Sequence, residues 1–98
     1  MGTLHIISKS PFAHNALADC LRVCGDAAIL LTEDAVCAAL ANSEWARQLK
    51  RAGLRVHLLQ ADIDARGFTD RIDAEFTHID YDGFVQLCCA HKRTVSWY

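Results

Sequence analysis

Cysteine is the residue type in this chain that is best suited to chemistry, because five cysteines occur in 98 residues. None of the spacings matches the C-x-x-C pattern of redox or zinc sites, and nothing at the start of the chain supports a secreted disulfide framework. The pattern therefore predicts free thiols in a reducing, cytoplasmic compartment, and most of them should be buried like other unreactive cysteines. The five are Cys20, Cys24, Cys37, Cys88 and Cys89.

Cys20 is the cysteine whose surroundings are richest in supporting side chains. A nucleophilic or sulfur-carrying thiol needs partial exposure and a lowered pKa, which nearby cations or a helix N-terminus supply. Cys20 is predicted on the helix that follows the first strand, close to the loop that carries Lys9 and Ser10, and His14 lies about one and a half turns earlier. From these residues alone, Cys24 is expected to pack in the core, and Cys20 is open to either role.

Other kinds of chemistry have weaker support. The predicted strands carry His5, His57 and His78, which could bind a metal together with a cysteine if the strands were neighbours. Their spacing is unlike that of standard zinc sites, so we expect neither a metal nor a cofactor. Asp80 and Asp82 follow a predicted strand, where capping of the next helix explains them better than a catalytic carboxylate pair. The chain also lacks a glycine-rich phosphate loop and a G-x-S-x-G motif.

Length and charge exclude several classes of protein. Ninety-eight residues predict a single domain, residues 1–98, and a domain this small is only marginally stable alone, which favours assembly with partner chains. The net charge of -2 argues against binding to nucleic acid or to an anionic membrane. The sequence has no apolar run of the roughly 18 residues that a membrane span needs, and the polar Thr3 and His5 oppose a signal peptide.

Hydrophobic periodicity predicts alternating strands and helices. The strands are predicted over residues 4–8, 27–31, 56–59, 76–79 and 94–98. Helical patterns lie between them over residues 16–24, 35–40, 43–53, 62–66 and 84–91, with one further turn within 69–74. Asp34 and Ser43 are the expected caps of the second and third helices. This alternation indicates an α/β fold, a three-layer open sheet that is mainly parallel and has about five strands.

Four segments carry a family resemblance, in the same order and over nearly the whole chain. They are Leu4-His5-x3-Lys9-Ser10-Pro11-Phe12-x2-Asn15 with Leu17 and Cys20-Leu21, then Glu33-Asp34-x-Val36-x-Ala38-Ala39-Leu40, then Asp62-Ile63-x-Ala65-Arg66-Gly67-Phe68, and Ile79-Asp80-Tyr81-x2-Phe84-Val85 with Trp97 near the end. With them the chain resembles the DsrH/TusB family, the small subunits of the DsrEFH and TusBCD sulfur-relay complexes. Ala35 departs from the pattern, since the family usually has glycine there.

The resemblance implies a fold, partners and a role. The fold would be the open α/β sheet of DsrEFH subunits, with flavodoxin-like topology. The partners would be DsrE/TusD-like and DsrF/TusC-like subunits in a heterohexamer, together with a DsrC/TusE-like protein that accepts sulfur. The principal persulfide-carrying cysteine of such complexes lies on the DsrE/TusD-like subunit, so whether this chain is itself an enzyme stays open.

Two functions follow from the resemblance. In the first, the chain relays persulfide sulfur, with Cys20 as an accessory acceptor supported by Lys9, Ser10 and His14, by the same thiolate chemistry as disulfide exchange. DsrH-type members have a cysteine at this position, which favours a link to sulfur oxidation over thiolation of the wobble uridine of tRNA. In the second, the chain is a non-catalytic subunit that completes and orients its partners. The sequence does not decide between them.

Overall fold

The central strands form where the sequence has short apolar runs without polar alternation. The computed structural model of the chain describes residues 2–23, 25 and 27–97. Its strands are β1 (Thr3–Ile7), β2 (Ala28–Leu31), β3 (Arg55–Leu59), β4 (Thr77–Ile79) and β5 (Arg93–Trp97). Its α-helices are α1 (Ala16–Val23), α2 (Glu44–Arg51), α3 (Gln60–Ala65) and α4 (Tyr81–Ala90), and a 3-10 helix, Glu33–Ala39, precedes α2.

The five strands form one sheet in the order β4-β3-β2-β1-β5, and every neighbouring pair is parallel. The predicted α/β class, with a parallel sheet of about five strands, is confirmed. The flavodoxin-like strand order is wrong in detail, because that order is 2-1-3-4-5. Here β1 to β4 are successive neighbours and β5 pairs with the free edge of β1, in register from Thr3 opposite Arg93 to Ile7 opposite Trp97.

The strand order determines which face of the sheet each helix covers. Parallel crossovers are almost always right-handed, so connections that run in one direction across a sheet lie on the same face. The connections from β1 to β4 all run the same way and place α1, the 3-10 helix, α2 and α3 on one face, which we call the thick face. The connection from β4 to β5 runs back across the sheet, so α4 is the one helix among the described residues that covers the other face, the thin face.

The core is correspondingly unequal on the two faces. The smaller cluster, on the thin face, consists of Leu4, Ala28 and Leu30, against which α4 packs the half-buried Phe84, Leu87 and Cys88. The cluster on the thick face has many more fully buried members. It includes Ile7, Leu17, Cys20, Ile29, Leu31, Val36, Leu49, Leu58 and Ile63.

Side-chain caps fix the starts of two helices, and one predicted cap is wrong. The Ser43 hydroxyl accepts a hydrogen bond from the Ala46 N–H at 3.1 Å, as predicted, and the Asp80 carboxylate accepts one from the Gly83 N–H at 2.7 Å. Asp34 caps nothing, because it lies inside the first turn of the 3-10 helix, whose N-cap is Thr32. Its carboxylate instead binds the Arg66 guanidinium at 3.0 Å.

Candidate functional site

The loop after β1 and the start of the 3-10 helix after β2 meet at the carboxyl edge of the sheet. The Thr32 N–H donates to the Ile7 carbonyl at 2.9 Å, and the Thr32 and Ser8 hydroxyls are 3.0 Å apart. In open parallel sheets this edge is the usual location of binding and chemistry. The loop that carries the predicted supporting residues is therefore held at the expected place.

Ser10 lies next to a cysteine, but that cysteine is Cys37. Their Oγ and Sγ atoms are 3.5 Å apart, and the Ser10 hydroxyl also accepts a hydrogen bond from the Phe12 N–H at 3.2 Å. Cys37 is half-buried on the 3-10 helix and forms no disulfide. Of the described cysteines, it is the one placed against the loop after β1.

Cys20 has a different environment. Its side chain is 0% exposed and belongs to the thick-face core. Lys9 and His14 are exposed on the surface of the loop. A thiol buried among apolar side chains is the kind that is usually unreactive. The structure thus places Ser10 next to Cys37. Cys20 lies in the core, whereas Lys9 and His14 lie on the exposed surface of the loop.

The other two cysteines that the structure describes lie away from this edge. Cys88 packs against the thin-face core, and Cys89 is exposed on α4. Both are free thiols. Cys24, predicted as the packed neighbour of Cys20, lies outside the described residues.

The three strand histidines do not converge. β1 and β3 are separated by β2, and His5 pairs with Ile29 whereas His57 pairs with Leu30, so the two rings point to opposite faces. The exposed His78 lies on β4, where its Nδ1 is 2.7 Å from the Gln60 side-chain oxygen. Within residues 2–23, 25 and 27–97, no three histidine, cysteine or acidic side chains are grouped as metal ligands.

His5 has a specific partner at the edge between β1 and β5. The Trp97 indole N–H donates to the His5 Nδ1 at 2.9 Å. An accepting Nδ1 requires the neutral ring with its proton on Nε2. Burial lowers the pKa of His5, and the positive charge of Arg93 lowers it further.

Acidic and basic residues tie the 3-10 helix to α3. The Asp62 carboxylate accepts a hydrogen bond from the Glu33 N–H at 2.7 Å and lies 3.6 Å from the Arg66 guanidinium, which also binds Asp34. Glu33 has a positive φ of 48°, a conformation that is costly for a residue with a side chain. The second and third segments of the resemblance therefore hold each other in place, and their polar residues have structural partners.

Sequence reasoning did not find the contact between Ser10 and Cys37. The two residues are 27 positions apart, Ser10 on the loop after β1 and Cys37 on the 3-10 helix, and no motif joins them. Only the topology could have indicated this contact, because the segments that follow two neighbouring parallel strands must meet at the same edge of the sheet.

Nothing in the described part of the chain is built to cross a membrane. No helix there has the length and apolar character that a span requires.

Comparison with known proteins gives concordant results. The family model described as "DsrH like protein" matches residues 9–94. The chain is 38% identical over 96 residues to protein TusB from Pectobacterium parmentieri, in a match that covers 96% of this chain and 99% of that protein. It is 36% identical over 95 residues to TusB from Enterobacter sp. strain 638, with the same coverage. TusB from Escherichia coli O81 is 34% identical over 95 residues, again with 96% and 99% covered.

A solved structure has the same fold. The crystal structure of the ychN protein from E. coli superposes with a TM-score of 0.79 and covers 98% of this chain and 99% of its own. The sequence identity is 17%, so this likeness concerns the fold alone.

Proposed function

This chain belongs to the DsrH family, and on that premise we propose that it is a single-domain, cytoplasmic subunit of a sulfur-relay complex. Its partners would be DsrE/TusD-like and DsrF/TusC-like subunits, with a DsrC/TusE-like protein as the sulfur acceptor. The observation that carries the proposal is the match to TusB proteins over 96% of the chain at 34–38% identity.

Within such a complex, we assign the chain a structural role. Its one cysteine at a position shared with DsrH-type members, Cys20, is 0% exposed, and transfer of sulfur requires a thiolate that a donor can reach. The principal reacting cysteine would lie on the DsrE/TusD-like partner, and this chain would complete and orient it.

The destination of the sulfur is the 2-thiolation of tRNA. The link to the sulfur-oxidation branch depends on Cys20 alone. Because Cys20 is buried, a sulfur donor cannot reach its thiol, and this cysteine no longer supports that branch. The relatives compared above all bear the name TusB. An E. coli strain lacking its own TusB, supplied with this chain, should regain 2-thiouridine in tRNA, as measured by mass spectrometry of tRNA nucleosides. Unchanged, low 2-thiouridine in a strain that expresses the folded chain would contradict this destination.

An accessory acceptor role for Cys20 is the second candidate, supported by its position in the resemblance. A thiolate that accepts sulfur attacks the terminal sulfur of a donor persulfide. The donor's S–S bond breaks, the donor leaves as a thiolate, and the cysteine becomes a persulfide.

Mass spectrometry after incubation with a small-molecule persulfide donor separates the two roles. For a structural subunit, we expect no sulfur on Cys20 in the native protein, and the Cys20→Ser variant should gain as much mass as the wild type. The Cys37→Ser variant is the matched control, because Cys37 is half-buried at the loop edge. A gain of one sulfur that Cys20→Ser abolishes and Cys37→Ser retains would establish the acceptor role instead.

A further inference from the structure

Two half-buried histidines lie on the thin face, where the C-terminal end of α4 meets β3. His57 is paired with Leu30 on β2, so its side chain points to the same face as that leucine. His91 is the C-cap residue of α4. The two rings are close enough for the charge of His91 to act on His57. Neither ring belongs to the candidate site at the carboxyl edge of the sheet.

Each ring has one buried nitrogen without a hydrogen-bond partner among the described residues, the Nδ1 of His57 and the Nε2 of His91. The Nδ1 of His91 is 2.8 Å from the Leu87 carbonyl, which can only accept, so this nitrogen carries the proton of the neutral ring. The buried Nε2 is then a bare acceptor. A proton added there creates a buried charge and an N–H without an acceptor, and both are costly.

The charges next to this pair are mostly positive. Arg55 lies two residues before His57 on β3 and so points to the same face. Burial lowers the pKa of His57, and the positive charges of Arg55 and His91 lower it further. The exposed Lys92 and Arg93 directly follow His91. A proton on either ring therefore enters a region that is already positive.

The elements packed against His57 offer little negative charge in return. Glu75 lines the same cavity of about 360 Å³ as His57, but it is exposed, so water and salt screen its charge. The other thin-face residues around the ring include no acid, and Cys88 is the titratable one among them. They are Ala28 and Leu30 on β2, Thr77 and Ile79 on β4, and Phe84, Leu87 and Cys88 on α4.

α4 is held firmly at its ends and weakly between them. The Asp80 carboxylate caps its start, and just after its end the N–H groups of Lys92 and Arg93 donate to the Gly2 carbonyl. None of its ten residues is buried, and its contacts with the sheet come from half-buried side chains. An element with few buried contacts opens at a lower free-energy cost than the core does.

We propose that α4 is a pH-dependent flap, which lifts from the thin face when His57 and His91 become protonated while β4 and β5 stay in the sheet. In the closed flap the two charged rings and Arg55 repel one another, and in the open flap both rings reach water. Opening uncovers the thin-face core of Leu4, Ala28 and Leu30. This inference is independent of sulfur transfer, because it uses only α4 and the sheet beneath it.

The lowered pKa of His57 sets the direction of the effect. In the open flap the ring regains the ordinary histidine pKa of about 6.5. Between that value and the lowered pKa of the closed form, the open form binds more protons, so opening increases as the pH falls through this window.

Hydrogen exchange of the full chain, measured by mass spectrometry at about pH 7.5 and pH 5.5 and corrected for the intrinsic exchange rates, tests the flap. A ten-residue helix is not stable away from the sheet, so opening exposes its amides. We expect the protection of the α4 amides to fall by about tenfold at the lower pH, the factor that one pKa unit represents. The amides of α2, on the thick face, should keep their protection. No loss in α4, or an equal loss in α2, would overturn the proposal.

Substitution of both rings identifies the groups responsible. The double variant His57→Gln with His91→Gln keeps polar side chains but does not titrate, so its α4 protection should be the same at both pH values. His14→Gln is the matched control, because His14 is exposed on the loop after β1, and it should behave like the wild type. A wild-type loss of α4 protection in the double variant would contradict the assignment.

A third variant avoids the buried rings if the double variant does not fold. Arg55→Gln changes an exposed side chain and removes a positive charge that acts on His57. Protonation of the closed flap then becomes easier, so the loss of α4 protection at about pH 5.5 should be smaller than in the wild type. An undiminished loss in Arg55→Gln would count against the flap.

Discussion

At the scale of single residues, the bond between Trp97 and His5 fixes the last strand against the first. The indole N–H donates at 2.9 Å, and the two ring centroids are 5.9 Å apart. His5 is 7% exposed, so its Nδ1 depends on this donor. Trp97, the half-buried tryptophan at the end of the family pattern, is therefore explained by its hydrogen bond to His5.

The Trp97→Phe substitution should lower the free energy of unfolding by about 1 kcal/mol, because it removes the hydrogen bond and leaves the His5 acceptor without a donor. Urea denaturation measures the change. Trp45→Phe is the control, since Trp45 also packs half-buried against the thick-face core and no hydrogen bond of its indole is seen in the described residues. Equal losses in the two variants would show that the bond contributes little beyond packing.

His57 makes the stability of the chain depend on pH. Burial lowers the pKa of His57, and the positive charge of Arg55 and the neighbouring His91 lower it further. Its Nδ1 and the Nε2 of His91 are buried without a hydrogen-bond partner in the part of the chain that is described. Protonation of His57 is therefore less favourable in the folded protein than in the unfolded chain.

We expect the free energy of unfolding to fall as the pH drops below about 6.5, the ordinary pKa of histidine. Between that value and the lowered pKa, the unfolded chain binds more protons than the folded protein, so stability rises with pH in this window and levels off above it. Urea denaturation from pH 8 to pH 5 measures the slope. His57→Gln should make the slope shallower, whereas His14→Gln changes only an exposed ring and should not. An unchanged slope in His57→Gln would contradict the assignment.

At the scale of elements, Asp62 is the residue that joins the 3-10 helix to α3. Asp62→Ala should lower the free energy of unfolding by about 1–2 kcal/mol, because the Glu33 N–H loses a charge-assisted hydrogen bond and Arg66 loses one of its two carboxylates. Thermal denaturation measures the loss. Asp70→Ala removes an aspartate from an exposed turn and should be nearly neutral. A neutral Asp62→Ala would mean that the strained Glu33 backbone is held by other contacts.

Elements with strong local patterns were predictable from the sequence. The apolar run of β2 and the Ser43 cap of α2 can be predicted from the sequence, because the interactions that form them act between residues close in the chain. The segment after β2 was less predictable. It forms a 3-10 helix rather than a capped α-helix, and the Asp34 carboxylate binds Arg66, 32 residues away, rather than the nearest N–H groups.

Local sequence patterns did not predict the contacts between segments that are distant in the chain. The sequence of β5 alternates polar and apolar residues and does not indicate which edge of the sheet the strand joins, so the residues alone did not predict the strand order. The candidate site has the same limitation. Cys20 has helical spacing that suits either a core or a surface position, and only the packing of α1 on β1 decides that it is buried. Cys37 gained its place beside Ser10 from the pairing of β1 with β2.

At the scale of the whole molecule, the two faces of the sheet differ in what they can do. The thick face has a closed core under three helices and the 3-10 helix, and it contains Cys20. The thin face has one short helix, and on its outward side Tyr81 and Val85 are exposed beside Asp82 and Gln86. Large apolar side chains that are exposed on a helix are suited to burial against another chain, which agrees with the structural role proposed above.

The pairing of the fifth strand with the first has a consequence for synthesis on the ribosome. β1 emerges first and can pair with β2 early, but its other edge keeps unpaired N–H and C=O groups until β5 has been translated. An open strand edge is a template for aggregation. Nascent chains that stall or are cut before Arg93 should therefore be the forms that bind chaperones and precipitate, even though they contain every fully buried residue of the thick-face core.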